Sequence, residues 1–277
     1  MTHSVAIQGF AGSFHQIAAQ RYFGPALGPV HPCATFAEVV RQVATGAAGC
    51  GLMAIENSIA GSILPNYRLL QEAELRITGE VYLQIRQHLM ALPGQALADI
   101  REVRSHPMAL LQCPDFLGRH PHWRLVETED TALSAQRIRE EQLPGVAAVA
   151  GELAAELFGL DILAADIHSA ADNYTRFLVV EPAGGAAAAE ASNKASLYFH
   201  TAHRRGALAE VLSRVADCGL NLSKLQSFPR PGTAWQYYFH ADVEFAQAAD
   251  LHRALAALDE VAESLRVLGV YRKGQTH

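Results

Sequence analysis

Apolar residues recur along this chain with two periods, near two for strands and near 3.6 for helices, and the order in which the periods alternate changes once. In the first two thirds, residues 4–9, 51–55, 103–105, 123–126 and 146–150 read as strands. Residues 13–23, 108–117, 131–140 and 152–158 read as helices, the last stopped by Gly159 at the C′ position. Thr35-Phe36-Ala37-Glu38 is a capping box opening a helix through Val43, since a hydroxyl and a carboxylate three residues apart satisfy each other's free N–H groups. Such alternation predicts an α/β unit with largely parallel sheets. Two long extended stretches, 75–92 and 175–180, fit no single sheet and read as crossovers between two lobes.

Downstream the order is different. Residues 196–201 read as a strand, and Leu208, Val211, Leu212 and Val215 fall at i, i+3, i+4 and i+7 on a helix closed by Gly219. Strands over 220–228 and 235–244, a helix with Leu251, Leu255 and Leu258 on one face, and a strand over 265–271 complete the pattern βαββαβ. That order predicts a ferredoxin-like unit, four antiparallel strands with two helices on one face. Between the two regions, residues 182–194 are small or polar, without apolar periodicity, and read as a linker that could span about 20 Å as a flexible coil. The expected division is 1–181, a linker over 182–194, and 195–277.

Composition narrows the function classes. The 277 residues suit two domains, and 22 basic against 28 acidic residues give a net charge of −6. No run of Lys and Arg exceeds Arg204-Arg205, which argues against nucleic acid as a partner. The most apolar region, 143–163, is broken by Glu152, Glu156 and Asp161, so no membrane span is expected. Met1-Thr2-His3-Ser4 has no basic segment leading into an apolar one, and Cys33, Cys50, Cys113 and Cys218 form no C-x-x-C. Both features fit a cytoplasmic protein with reduced thiols.

Ligands of open α/β sheets bind beyond the carboxyl ends of strands, and four polar segments sit there. Gly9-Phe10-Ala11-Gly12-Ser13 leaves N–H groups and a hydroxyl at a helix start, although a plain strand-to-helix turn explains the glycines equally well. Glu56-Asn57-Ser58, with Gly61 close behind, ends a strand and also suits a turn. Ser105-His106-Pro107 ends another, where Ser105 reads as an N-cap before Pro107. Asp172-Asn173-Tyr174-Thr175-Arg176-Phe177 precedes the last strand of the first region, and Arg176 reads either as an anion ligand or as a charge with a buried stem. Together these hydroxyls, amides and one Arg describe a site for a small polyanion. His120-Pro121-His122 lacks a third metal ligand and reads as a solvated loop, and there is no G-x-S-x-G elbow.

The four segments, in this order and at these separations, resemble the prephenate dehydratase family with a C-terminal ACT regulatory domain; Ala109-Leu110 and Gln112-Cys113 extend the third. The resemblance covers nearly the whole chain. It implies a catalytic domain similar to type II periplasmic-binding proteins, with two α/β lobes around a cleft. The implied reaction converts prephenate to phenylpyruvate, water and carbon dioxide in phenylalanine biosynthesis, without a cofactor. By resemblance Thr175, Arg176 and Ser105 are catalytic: Thr175 donates to the departing hydroxyl and Arg176 pairs with a carboxylate. Gly12, Ser13, Asn57, Ser58, Asn173 and Phe177 would bind substrate, while Glu56 either orients donors or is a structural partner.

Some positions depart from the family pattern. Phe10, Ala54 and Met108 stand where the family has Pro, Pro and Gln. In the regulatory domain Gly206, Ala207, Leu208, Asn221 and Leu222 match the phenylalanine-binding pattern, whereas the expected Glu-Ser-Arg-Pro reads Gln226-Ser227-Phe228-Pro229. Phenylalanine is the expected effector and a homodimer or homotetramer the expected assembly. Two other readings stay open: an arogenate dehydratase, and a non-catalytic amino-acid sensor that binds phenylalanine without turning over prephenate.

Overall fold

The computed structural model describes residues 2–184, 191–230, 232, 233 and 235–275. From the N-terminus the chain runs β1 (His3–Gln8), α1 (Phe14–Phe23), β2 (Leu27–Cys33), α2 (Phe36–Ala44), β3 (Cys50–Asn57), β4 (Gly61–Ser62), α3 (Leu64–Glu72) and β5 (Leu75–Gln84). Then follow β6 (His88–Ala91), β7 (Glu102–Ser105), α4 (Pro107–Leu111), α5 (Pro114–Leu117), β8 (Arg124–Glu127), α6 (Thr131–Glu140), β9 (Val146–Ala150), α7 (Glu152–Phe158), β10 (Asp161–Ala164) and β11 (Tyr174–Pro182). The C-terminal part is β12 (Lys194–His200), α8 (Ala207–Asp217), β13 (Asn221–Pro229), β14 (Tyr237–Glu244), α9 (Ala248–Asp259) and β15 (Ser264–Tyr271).

These strands make three sheets, ordered β2-β1-β3-β11-β5 with β4 beside β3, β10-β6-β9-β7-β8, and β13-β14-β12-β15. The extended stretch 75–92 divides into β5 of the first sheet and β6 of the second, and β11 returns the chain to the first. Because these crossing strands run against their neighbours, the first two sheets are mixed and not largely parallel. β1 is parallel to β2 and β3, but β11 is antiparallel to β3 and β5. In the second sheet β7 is parallel to β8 and β9, while β6 is antiparallel to β9 and β10.

Other departures have local causes. The helix expected over 108–117 is two short ones, because Pro114 has no N–H to continue the first and starts the second at N1. At α2 the Thr35 hydroxyl accepts from Glu38 N–H at 3.2 Å, but the Glu38 carboxylate reaches Ala34 N–H instead of that of Thr35. β2, α3 and β10 escape the periodicity reading: β2 contains two prolines, β10 is only four residues long, and α3 is mixed in polarity. Of the expected linker, Pro182 closes β11, Lys194 opens β12, and residues 185–190 lie outside the described residues.

The first sheet is covered on both faces. Ile7, Leu52, Val179 and Phe177 pack toward α1, and Val39 and Val43, four residues apart on α2, pack on the other face with Met53 and Leu178. That second face also receives Phe228, Leu268 and Tyr271 of the C-terminal sheet, whose opposite side is covered by α8 and α9. Burying Phe228 and Leu268 stabilises this contact by about 1.5–3 kcal/mol each. β15 approaches β5 so closely that a Cβ on Gly269 would lie 2.0 Å from the Ile77 carbonyl oxygen, so only glycine fits.

Candidate active site

A cavity of about 440 Å³ is lined by elements of both the first and the second sheet. β11 and β3 supply its most specific geometry. Strand alternation turns Thr175 and Phe177 of β11 toward the cavity, and Asn57, at the end of β3, stands opposite Thr175 in register. The Asn57 amide donates to Thr175 Oγ1 at 3.1 Å and to Asn173 Oδ1 at 2.7 Å, while its own Oδ1 accepts from the N–H groups of Ile59 and Ala60. Every polar atom of Asn57 is engaged. The Thr175 oxygen receives a hydrogen bond, which leaves its O–H to donate elsewhere.

Three buried polar atoms of the lining have no hydrogen-bond partner among the described residues: Ser13 Oγ, His15 Nε2 and Gln87 Oε1. Buried polar groups in native proteins are nearly always paired, so these three atoms have capacity for a further polar partner. His15 is packed between Phe36 and Phe177, and burial pushes its imidazole down to about 3, which makes it a neutral group at pH 7. From the second sheet come His106, whose Nδ1 caps α4 by accepting from Met108 N–H at 3.2 Å, and Asp130, which caps α6 by accepting from Leu133 N–H at 2.9 Å. Burial raises the Asp130 carboxyl, partly opposed by hydrogen bonds from Leu133 and Ala132. Among the described lining residues there is no Lys or Arg.

Several sequence expectations are corrected. Arg176 does not face the cavity. It lies on the other face of β11, 4 % exposed, with its guanidinium on Glu80 and Asp242, so it is unavailable to a carboxylate ligand in the cleft. Ser105 is fully buried and its hydroxyl donates to the Val149 carbonyl at 2.6 Å; the cap of α4 is His106 instead. Ser58 is outside the lining, where its hydroxyl donates to Asp172 O and accepts from Tyr174 N–H, tying two loops together. Asn173 acts one step back, through Asn57. Gly12 does not line the cavity; its N–H donates to Gln16 Oε1, and at φ +85° its Cα faces Ala154 of α7. Ser13, Asn57, Thr175 and Phe177 are brought together as expected. Missed were His15, Gln87, His106, Gln112 and Asp130. His106 and Gln112 belong to the third polar segment and its extension, and Asp130 carries a capping signal before Thr131.

Among the hollows elsewhere, two involve the C-terminal unit. One of about 170 Å³ in the C-terminal unit is lined by Ala207, Leu208, His203, Arg204, Gln236 and Tyr237 among others, beside Gly206, which starts α8 at φ +80°. Asn221 and Leu222 open the edge strand β13 and do not line it. Gln226 stays on β13, partly exposed, and Phe228 is buried against the Tyr67 ring. A wider groove of about 810 Å³ separates α3 from β13 and β14, without a comparable set of unpaired buried groups facing one hydroxyl.

Comparisons with known proteins identify the family. The family model described as prephenate dehydratase matches residues 5–184. The bifunctional chorismate mutase/prephenate dehydratase of Escherichia coli (strain K12) is 33% identical over 270 residues, covering 96% of this chain and 70% of that protein. The bifunctional N-acyl-homoserine lactone acylase/prephenate dehydratase of Komagataeibacter europaeus is 35% identical over 272 residues, covering 96% and 95%. Among solved structures, the prephenate dehydratase of Arthrobacter aurescens in complex with L-Phe superposes with a TM-score of 0.88 at 29% identity, covering 99% of this chain and 91% of that one. The chain belongs to the prephenate dehydratase family.

Proposed function

We propose that this protein converts prephenate to phenylpyruvate, water and carbon dioxide in phenylalanine biosynthesis, with feedback by phenylalanine. The observation that carries the reading is the Asn57-oriented hydroxyl of Thr175, which lines the same cavity as Ser13, His15 and Gln87. Residues 1–181 form the catalytic domain, with two lobes of the periplasmic-binding type, and 195–277 form an ACT domain.

Loss of the ring hydroxyl and the ring carboxylate yields a benzene ring, so aromatisation drives the step and the protein has to orient and assist the leaving groups. Thr175 is placed to donate a hydrogen bond to the departing hydroxyl, as a donor or proton conduit and not as a free-standing acid, its oxygen accepting from Asn57. The ring carboxylate loses its charge as it becomes carbon dioxide. A fixed Arg there would stabilise the ground state more than the transition state, so a lining of neutral donors suits the chemistry better. Ser13, Gln112 and the neutral His15 supply them, and Phe14, Ile85 and Phe177 form apolar walls for the ring. Gly206, Ala207 and Leu208 border the hollow where phenylalanine would act.

The 277-residue chain given prephenate should form phenylpyruvate, read as its absorbance in alkali; a folded sample without product overturns the reading. The same assay with arogenate gives the specificity ratio, and added phenylalanine should lower the rate.

A further inference from the structure

β11 carries the candidate chemistry on one face and a buried cluster of charges on the other. Arg176 Nε donates to Glu80 Oε2 at 2.7 Å, Nη1 to Asp242 Oδ2 at 2.5 Å and Nη2 to the Tyr271 hydroxyl at 3.2 Å. Lys194 Nζ donates to both Glu80 oxygens at 3.0 Å. The other Asp242 oxygen accepts from Ser196 at 2.6 Å and lies 3.1 Å from His240 Nε2. Glu80 and Arg176 come from the first sheet, Lys194 and Asp242 from the C-terminal one, so two cations and two anions close the joint with balanced charge. A second pair crosses the same joint: Lys224 of β13 donates to Glu56 of β3 and, at 2.7 Å, to Ser62 Oγ.

The register gives these contacts their meaning. Across β11 and β3, Thr175 pairs with Asn57 and Arg176 pairs with Glu56. The two residues gripped by the C-terminal unit are therefore the chain neighbours of the two that make the Thr175 hydrogen bond, with successive Cα atoms about 3.8 Å apart. Stability alone is a poor reason for this cluster, since buried ion pairs are often no more stabilising than apolar residues of the same volume. What ion pairs supply is one defined arrangement, whereas an apolar joint can slide. Burial opposes the charge on Asp242, but Arg176 and His240 hold its carboxyl well below the usual carboxylate range, so the grip persists across ordinary pH.

We propose that Arg176 and Glu56 are positioning residues for Thr175 and Asn57, held from outside by Asp242 and Lys224, so that the C-terminal unit sets the geometry of the cleft through one residue pair of the β11–β3 ladder. This rests on the dehydratase reading. Displacing the C-terminal sheet would move the Arg176–Glu56 pair and, through the shared backbone, the Thr175 hydroxyl.

The test uses the 277-residue chain and reads kcat, KM for prephenate and the melting temperature. Lys224→Met, at the partly exposed pair, should lower kcat about 5- to 10-fold with KM within about twofold and the fold retained. Glu56→Gln should do the same, and the double variant should lose no more than the worse single one, because both remove one link. Asp242→Asn should lower kcat further; a purely structural role would lower the melting temperature and leave kcat per folded molecule unchanged. Should Asp242→Asn fail to fold, the Lys224 and Glu56 pair decides. Active wild type with unchanged kcat in folded Lys224→Met and Glu56→Gln overturns the inference alone, whereas inactive wild type overturns the dehydratase reading and the inference with it.

Discussion

Thr175 shows how little of a residue's role is carried by its identity. A threonine hydroxyl is a weak acid; it becomes useful here because Asn57 occupies its lone pair, and Asn57 is itself locked by Ile59, Ala60 and Asn173. Thr175→Ala should lower kcat about 100-fold or more. It should cost only about 1 kcal/mol of stability, since one hydrogen bond is lost. Turnover beside a thermal melt checks both. His15 makes a different prediction. The unfolded chain takes up a proton on this imidazole near pH 6.5, but the folded protein does so only near pH 3, because burial excludes the charge. The unfolded state thus binds more protons between those values, so this contribution to stability is complete above about pH 6.5 and is lost as pH falls toward 3. Melting temperature against pH should fall less steeply over that window in His15→Leu than in the wild type.

At the scale of elements, period-two alternation on β11 separates two functions one residue apart. Thr175 and Phe177 serve the cleft, and Arg176 serves the joint. The split is legible in the sequence as alternation, but nothing local says which face meets which neighbour, which leaves Arg176 open between an anion ligand and a charge with a buried stem. Ser105 failed similarly: a serine before His-Pro is a good cap by type, yet a one-residue offset hands the cap to His106 and points Ser105 at Val149. The turn before α1 supplies a further test. A Cβ on Gly12 would lie 2.9 Å from the Ala154 Cα, in a conformation at φ +85° that other residues rarely adopt. Gly12→Ala should destabilise by about 1–3 kcal/mol and raise KM by pushing α1, with Ser13 and His15, away from α7. Thermal melts and substrate titration report the two effects.

For the whole molecule, a cavity without Lys or Arg among its described lining predicts weak dependence on salt, because neutral donors act at contact range. Raising ionic strength from about 0.05 M to about 0.5 M should change kcat/KM less than about threefold; a steep fall would mean that a cation outside this lining governs binding. The sequence by itself determined the βαββαβ order of the C-terminal unit, most strands and helices of the first region, the family, and four residues of the cavity: Ser13, Asn57, Thr175 and Phe177. The elements follow from periodicity and capping chemistry, which depend on near neighbours, and the family and the four residues follow from the resemblance that the ordered segments carry. Only the tertiary structure decided that Arg176 leaves the cleft for Glu80 and Asp242, that Glu56 meets Lys224, and that His15 is neutral. Glu80, Asp242 and Lys224 are far from Arg176 and Glu56 along the chain, and it is the packing of one sheet on another that gives a charge its partner and an imidazole its burial.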